Sequence, residues 1–174
     1  ESRVSRGLGD VYKRQLLGLS ALPTDHHLNV GMLGMHGNYA PNVKTNECDV
    51  LIAIGMRFDD RVTGDLKRYA KQAKVIHLEI DPAEINKNVY AHVPVLGDAK
   101  ESLIALTKLV KPNMYPEWLD SFKKLKQIEH TKVMQKTLYP QEGAITMAEV
   151  VRLVTEQTEN DAVLVTDVGQ HQMI

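Results

Sequence analysis

Asp49-Val50-Leu51-Ile52-Ala53-Ile54-Gly55, followed by Met56-Arg57-Phe58-Asp59-Asp60-Arg61-Val62-Thr63-Gly64, is the stretch that decides the fold. Its first half is a continuous apolar run stopped by a glycine. A strand covered on both faces needs apolar residues at every position, as in the centre of a parallel sheet. Its second half packs two Arg and two Asp into five residues, 57–61. In open parallel sheets, ligands sit outside the carboxyl ends of the strands. The polar half is therefore where function is expected.

Working outward, the same pattern recurs. Leu66 to Gln72 reads as a short polar helix. Lys74 to Ile80 reads as the next strand, ended by Asp81-Pro82, and Pro82 suits the first turn of a helix over Ala83 to Asn88. Val93 to Leu96 is a third strand, ended by Gly97-Asp98. Asp98 is a good N-cap for a helix from Ala99 to Val110, with Leu103, Leu106 and Val110 on one face. Upstream, Pro41 to Glu47 reads as a short helix, and Leu16-Leu17-Gly18-Leu19 as an apolar run entering a loop at Pro23. Successive strand–loop–helix units predict an α/β fold with a doubly wound parallel sheet over residues 16–110.

Residues 111–141 break the pattern. Lys111-Pro112-Asn113-Met114-Tyr115-Pro116 leads into a Lys-rich helix, Glu117 to Lys136, with a thin apolar stripe of Trp118, Phe122, Leu125 and Ile128. It reads as a linker with a solvated face. Over 142–174, Thr146 and Glu149 have capping-box spacing, and a strand is expected from Ala162 to Val165. This is the expected start of a second α/β domain. At the other end, residues 1–15 show no helical or strand period. Val4 to Gln15 resembles translated adapter sequence and is set aside as non-native, the alternative being a disordered arm. The chain is expected to be an internal piece of a larger enzyme.

Composition narrows the class. The chain has 174 residues, 43% hydrophobic and 25% charged, with net charge -1. That is ordinary for a globular protein and gives no electrostatic footprint for nucleic acid or anionic lipid. No apolar run approaches the roughly 18–20 residues of a membrane span. The single cysteine, Cys48, precludes an internal disulfide, fits a reducing cytoplasmic location, and sits where a packed thiol is expected. No metal-ligand spacing, nucleophile elbow, P-loop or Gly-x-Gly-x-x-Gly fingerprint is present; His26-His27 is a pair in a loop.

Five loops could carry chemistry. Gly31-Met32-Leu33-Gly34-Met35-His36-Gly37 has three glycines for close backbone approach, with soft apolar walls for a flat ring. Gly55 to Gly64 offers Arg57 and Arg61 to anionic oxygen; an exposed salt-bridge network is the alternative but contributes little. Glu79-Ile80-Asp81 places an acid about twenty residues after a glycine loop, where dinucleotide domains hold a ribose hydroxyl. Its alternative role is to cap the turn at Pro82. Gly97-Asp98-Ala99 ends the third strand. Val168-Gly169-Gln170-His171-Gln172-Met173 offers a glycine, amides and an imidazole to a diphosphate at a strand-to-helix turn.

Together these segments resemble the large catalytic subunit of acetolactate synthase (acetohydroxyacid synthase), a thiamine diphosphate enzyme with an FAD-binding central domain. The strings that carry the resemblance are Met32 to Gly37, Gly55 to Gly64, and Asp167 to Met173. The resemblance implies that Leu16, Leu33, Gly34, Met35 and His36 line the flavin. It places Gly55, Arg57, Asp59 and Val62 at the ribityl and phosphate region. Glu79 and Ile80 then lie at the adenosine end, with Gly97, Asp98 and Ala99 nearby. Arg61 pairs with the carboxylate of an incoming 2-keto acid. Val168, Gly169, Gln170 and His171 hold thiamine diphosphate. The implied reaction joins pyruvate to a second 2-keto acid, pyruvate or 2-ketobutyrate, with loss of carbon dioxide, on the route to branched-chain amino acids.

It also implies Mg2+, whose Gly-Asp-Gly…Asn ligand segment is not in this sequence, and neither is the glutamate that activates thiamine. The 174 residues alone are therefore expected to be inactive. A homodimer or tetramer with a regulatory subunit is implied for the full-length protein. Gln15 stands where the family has Thr, and Ile174 where it has Trp. The alternatives are a stand-alone flavin- or nucleotide-binding module and a sister thiamine diphosphate oxidase or decarboxylase.

Overall fold

The computed structural model describes residues 12–14, 16–165, 167 and 169. The chain divides into two compact units, residues 1–123 and 124–174.

The first unit is built on the expected parallel sheet. Strands β3 (Val50–Ile54), β4 (Lys74–Glu79) and β5 (Val93–Leu96) pair in that order, all parallel. Val50 faces Lys74 and Ile54 faces Leu78; Ile76 faces Val93 and Glu79 faces Leu96. The most apolar strand, expected to be covered on both faces, is buried at alternate positions only, with Val50 exposed and Ile52 and Ile54 half-buried. Leu51 and Ala53 on β3, and Val75 and Leu78 on β4, are buried. β5 is more exposed, with Val93 at 50% and Leu96 at 59%, as suits an edge strand. The strand ends are tied together: the Gly55 amide donates to Leu78 O (2.8 Å) and the Gly97 amide to Glu79 O (3.0 Å). All three carboxyl ends therefore open on one edge.

A second, two-stranded parallel sheet joins β1 (Tyr12–Arg14) to β2 (Asn29–Met32). No strand is expected at residues 12–14, and Gly31 and Met32 fall in the expected glycine loop. Backbone pairing, which needs no apolar period, makes both into strands. Between them lies a short 3-10 helix, Leu16–Ala21. Helix α1 (Tyr39–Thr45) follows β2, and α2 (Asp60–Thr63) lies within the loop after β3. Helix α3 (Ala99–Leu109) follows β5 and is capped as expected, with Asp98 Oδ1 accepting from the Lys100 and Glu101 amides. Leu103, Leu106 and Val110 are half-buried on one face.

The core gathers Leu33, Cys48, Leu51, Ala53, Met56, Phe58, Tyr69, Ala70, Ala73 and Val75, with Val62, Val89 and Trp118 packed against it. Cys48 is the packed thiol expected, its Sγ donating to Thr45 O at 3.3 Å. Phe58 is the telling member. It has φ 53 and is 1% exposed. A left-handed non-glycine residue costs roughly 1–2 kcal/mol. Burying a phenyl ring returns about 1.5–3 kcal/mol, so packing holds the strained backbone in place.

Two expected helices are absent. Residues 66–72 form a series of turns. Ala70 is left-handed (φ 46), its amide donates to Asn46 Oδ1, and Gln72 Nε2 donates to Thr45 O and Cys48 O. Residues 83–88 are likewise turns. Asn86 is left-handed (φ 61) and its Oδ1 accepts from the Ala91 amide. Asn46 Oδ1 takes an amide that a helix over 66–72 would have used, and in both places a left-handed residue breaks the helical run.

Helix α4 (Pro116–Glu129) starts in the first unit, where Trp118 and Phe122 stack edge to face and Lys44 Nζ lies 4.5 Å from the Trp118 ring centre. In the second unit it passes through a π-helical turn, His130–Met134, into α5 (Gln135–Leu138). The expected Lys-rich helix is thus continuous apart from one widened turn. Helix α6 (Met147–Gln157) is capped by Thr146, which accepts from the Glu149 amide at 3.0 Å and donates to Thr137 O. Arg152 draws α6 onto α5 through Leu138 O (2.8 Å) and the Tyr139 ring (4.5 Å). The strand expected over Ala162–Val165 is not formed. Val163 and Val165 are more than nine-tenths exposed. A strand needs a neighbour to satisfy its backbone, and no strand among the described residues pairs with it.

Candidate cofactor-binding edge

The edge carrying the three strand ends is assembled by polar side chains clamping backbone. The glycine loop after β2 is held by two asparagines from the start of α1. Asn42 Oδ1 accepts from the Gly34 amide (3.0 Å) and its Nδ2 donates to Gly34 O (2.9 Å). Asn38 Oδ1 accepts from the Met32 amide (3.0 Å). Gly31 leaves no room for a side chain, since a Cβ there would overlap Asn38 Oδ1.

This loop then docks on the Arg/Asp loop. The Met35 amide donates to Arg61 O at 2.7 Å. At Gly34 (φ +112) a Cβ would lie 2.8 Å from Arg61 O and 3.2 Å from Val62 Cα. Only glycine permits both the backbone angle and the approach. The glycine loop and the Arg/Asp loop, joined by residues 26 positions apart at Met35 and Arg61, are thereby one surface.

Within the Arg/Asp loop, Asp59 caps α2, accepting from the Arg61 amide at 3.0 Å. Arg57 lies 3.8 Å from Asp59 Oδ2, and Arg61 Nε lies 3.9 Å from Asp60 Oδ1. Both arginine side chains are about three-quarters exposed, at 74% and 73%. Contacts this long and wet contribute little stability, and they leave the guanidinium groups facing solvent. Gly55 (φ +59) has nothing within 4 Å of where a Cβ would stand.

The other expected residues divide. Met35, His36, Ile80 and Asp98 are exposed at the edge. Leu33 turns inward to the core, and Val62 packs on it. Gly97 and Ala99 flank the start of α3. Glu79 is buried. Its Oε1 accepts from the Ile80 and Asp81 amides (2.9 and 3.3 Å), so its carboxylate caps its own turn, the second of the two roles read from sequence. Leu16 opens the 3-10 helix. Gly169 is half-buried in the second unit; Val168, Gln170 and His171 lie outside the described residues. Sequence reasoning missed Asn38, Asn42, His77 and Asn88, which touch the loops' backbone rather than their side chains. No cluster of metal-ligating side chains occurs among the described residues, and no helix among them is long and apolar enough to cross a membrane.

The parallel sheet and the joined loops at its carboxyl edge agree with a family comparison. Residues 11–106 match the model of the thiamine pyrophosphate enzyme central domain. The chain belongs to the thiamine pyrophosphate enzymes. Within that class it is similar to acetolactate synthase large subunits. It is 43% identical over 163 residues to the probable large subunit of Methanocaldococcus jannaschii, covering 91% of this chain and 27% of that protein. It is 43% identical over 159 residues to the Lactococcus lactis large subunit, again covering 91% and 27%. It is 39% identical over 160 residues to the isozyme 3 large subunit of Escherichia coli, covering 91% and 28%. The chain thus spans about a quarter of the length of these relatives.

Proposed function

We propose that the chain is the flavin-holding centre of an acetolactate synthase large subunit. The observation that carries this reading is the Met35 amide on Arg61 O, which joins the glycine loop and the Arg/Asp loop beside the strand ends. The residues present fit FAD. Gly55 leaves open space for close approach. Met35 and Ile80, at 62% and 68% exposure, offer apolar surface to flat rings. Arg57 brings an exposed positive charge to the phosphate region. Leu16, Leu33, Gly34, Met35 and His36 would lie along the flavin, and Gly55, Arg57, Asp59 and Val62 along the ribityl and phosphates. Glu79, Ile80, Gly97, Asp98 and Ala99 would lie at the adenosine end, with Glu79 shaping the turn rather than reaching out. FAD there serves to hold structure, because the net reaction is not a redox one.

Val168, Gly169, Gln170 and His171 would hold thiamine diphosphate together with Mg2+, and the bound group would supply the carbanion chemistry of keto-acid decarboxylation. The substrates are pyruvate and a second 2-keto acid; the first pyruvate gives up its carboxyl as carbon dioxide and its remaining two carbons join the second acid's keto carbon. Arg61 meets the carboxylate of the incoming acid, a task that suits a planar, two-pronged guanidinium. A cytoplasmic homodimer or tetramer with a regulatory subunit is the matching assembly. The test uses the full-length protein with FAD, thiamine diphosphate and Mg2+. Acetolactate should form from pyruvate. Arg61→Ala should raise KM for the second keto acid roughly ten- to hundredfold, as a lost charged hydrogen bond of about 1.5–3 kcal/mol implies. An absence of acetolactate, or an unchanged KM, would overturn the reading.

A further inference from the structure

Three consecutive backbone carbonyls at the exit of β3 are held by side chains from distant parts of the chain. His77 Nε2 lies 2.9 Å from Met56 O. Asn88 Nδ2 donates to Arg57 O (3.3 Å) and to Phe58 O (3.1 Å). A carbonyl only accepts, so His77 Nε2 carries the proton. The His77 ring is fully buried, and its edge meets Phe58 at 5.0 Å between centroids with a 74° interplanar angle. Its Nδ1 has no partner among the described residues.

A histidine is a poor choice for filling this space. A buried, unpaired ring nitrogen is destabilising, and an apolar side chain would avoid it. His77 Nε2 lies 3.7 Å from the buried Glu79 Oε2 but 2.9 Å from Met56 O, so its hydrogen bond goes to the loop. The same loop contains the left-handed Phe58, which without support would relax toward ordinary backbone angles. Asn88 holds the loop from the turns that follow β4. Together the two fix the main chain on both sides of Arg57, whose side chain remains 74% exposed. That is the arrangement of a charge pre-aimed at a ligand: rigid backbone, solvent-facing head group.

We propose that His77 and Asn88 are positioning residues, a two-sided clamp that presets Arg57 toward the phosphates of the flavin nucleotide. The inference rests on the flavin reading above for the identity of the ligand. Pre-organisation of this kind strengthens binding by removing the ordering cost at the moment of association.

The test uses the full-length protein and four variants: Asn88→Ala, His77→Met, His77→Gln and Arg57→Ala. Asn88 is exposed, so its truncation leaves the core intact. Asn88→Ala and His77→Met should each weaken FAD binding on the order of tenfold, the usual effect of losing one such bond. Both should speed amide hydrogen exchange over residues 56–61. His77→Gln, which keeps a donor near the Nε2 position, should stay within about threefold of wild type. In an Arg57→Ala background the effect of Asn88→Ala on FAD affinity should vanish, since the clamp acts through Arg57. Unchanged exchange over 56–61 in Asn88→Ala overturns the clamp, and so does an undiminished Asn88 effect in the double variant. If His77→Met does not fold, the Asn88 pair still decides. A wild-type protein that binds no FAD would refute the flavin reading instead, while the exchange data would still report on the clamp.

Discussion

Gly34→Ala is the perturbation that most directly separates the two loops. Gly34 has φ +112, a conformation in which an alanine is strained by about 1–3 kcal/mol. The new Cβ would also stand 2.8 Å from Arg61 O. That oxygen is backbone, held by the Met35 amide at 2.7 Å, so it cannot simply swing aside. Relief requires the loops to part, losing a hydrogen bond of about 0.5–1.5 kcal/mol. The sum is about 1.5–4.5 kcal/mol, or roughly 10- to 2,000-fold if it falls wholly on the paired-loop geometry. The assay is FAD titration of the full-length apoprotein, followed by flavin fluorescence, with hydrogen exchange at Met35 as the local readout. Gly143→Ala is the control: it has similar strain (φ +98) with nothing within 4 Å, and lies in the other unit. It should lower stability without touching FAD affinity. A Gly34→Ala protein with wild-type FAD affinity and a still-protected Met35 amide would refute the loop-docking argument.

Other consequences are simpler to check. Burial first, and Cys48 second, push the Tyr69 hydroxyl well above its ordinary pKa, and that hydroxyl has no hydrogen-bond partner among the described residues. The unfolded chain therefore loses this proton before the folded one does. Stability should fall above about pH 10, by up to about 1.4 kcal/mol per pH unit, until the raised folded pKa is reached. Tyr69→Phe should remove that alkaline loss and be neutral or stabilising near pH 7, as alkaline denaturation curves would report. Asp98→Ala removes the cap that receives the Lys100 and Glu101 amides. It should cost about 1 kcal/mol in a denaturant melt. Asn42→Ala unties both backbone groups of Gly34 and should weaken FAD binding in the same direction as Gly34→Ala, by about tenfold.

β3, β4 and β5 were legible because each is an apolar-rich run stopped by Gly or Asp, as in Val50–Ile54 before Gly55, whereas β1 and β2 carry no such run. The α3 cap was legible because Asp98 acts on its immediate neighbours. Residues 66–72 and 83–88 were not: each carries a left-handed residue, Ala70 and Asn86, and Asn46 Oδ1 takes the Ala70 amide that a helix would have used. Of the site, Gly34 and Arg57 announced themselves by residue type. That Gly34 meets Arg61 O, and that His77 and Asn88 grip the intervening carbonyls, are contacts between residues far apart in sequence. Backbone acceptors carry no signature in residue type. Glu79 shows a related ambiguity: a strand-end acid reads as ribose ligand or turn cap, and only its two short bonds to Ile80 and Asp81 decide where its carboxylate points. The stretch 162–165 has strand composition but no strand neighbour among the described residues, and composition alone does not make a ladder.

The central proposal is that the joined loops form a flavin site in a thiamine pyrophosphate enzyme. The most direct measurement is the flavin content of the purified full-length protein, read from its absorbance after release by denaturation, beside that of Arg57→Ala. The account predicts about one FAD per chain in the wild type and a marked loss in the variant. A colourless wild-type protein that takes up no FAD and still forms acetolactate would contradict it.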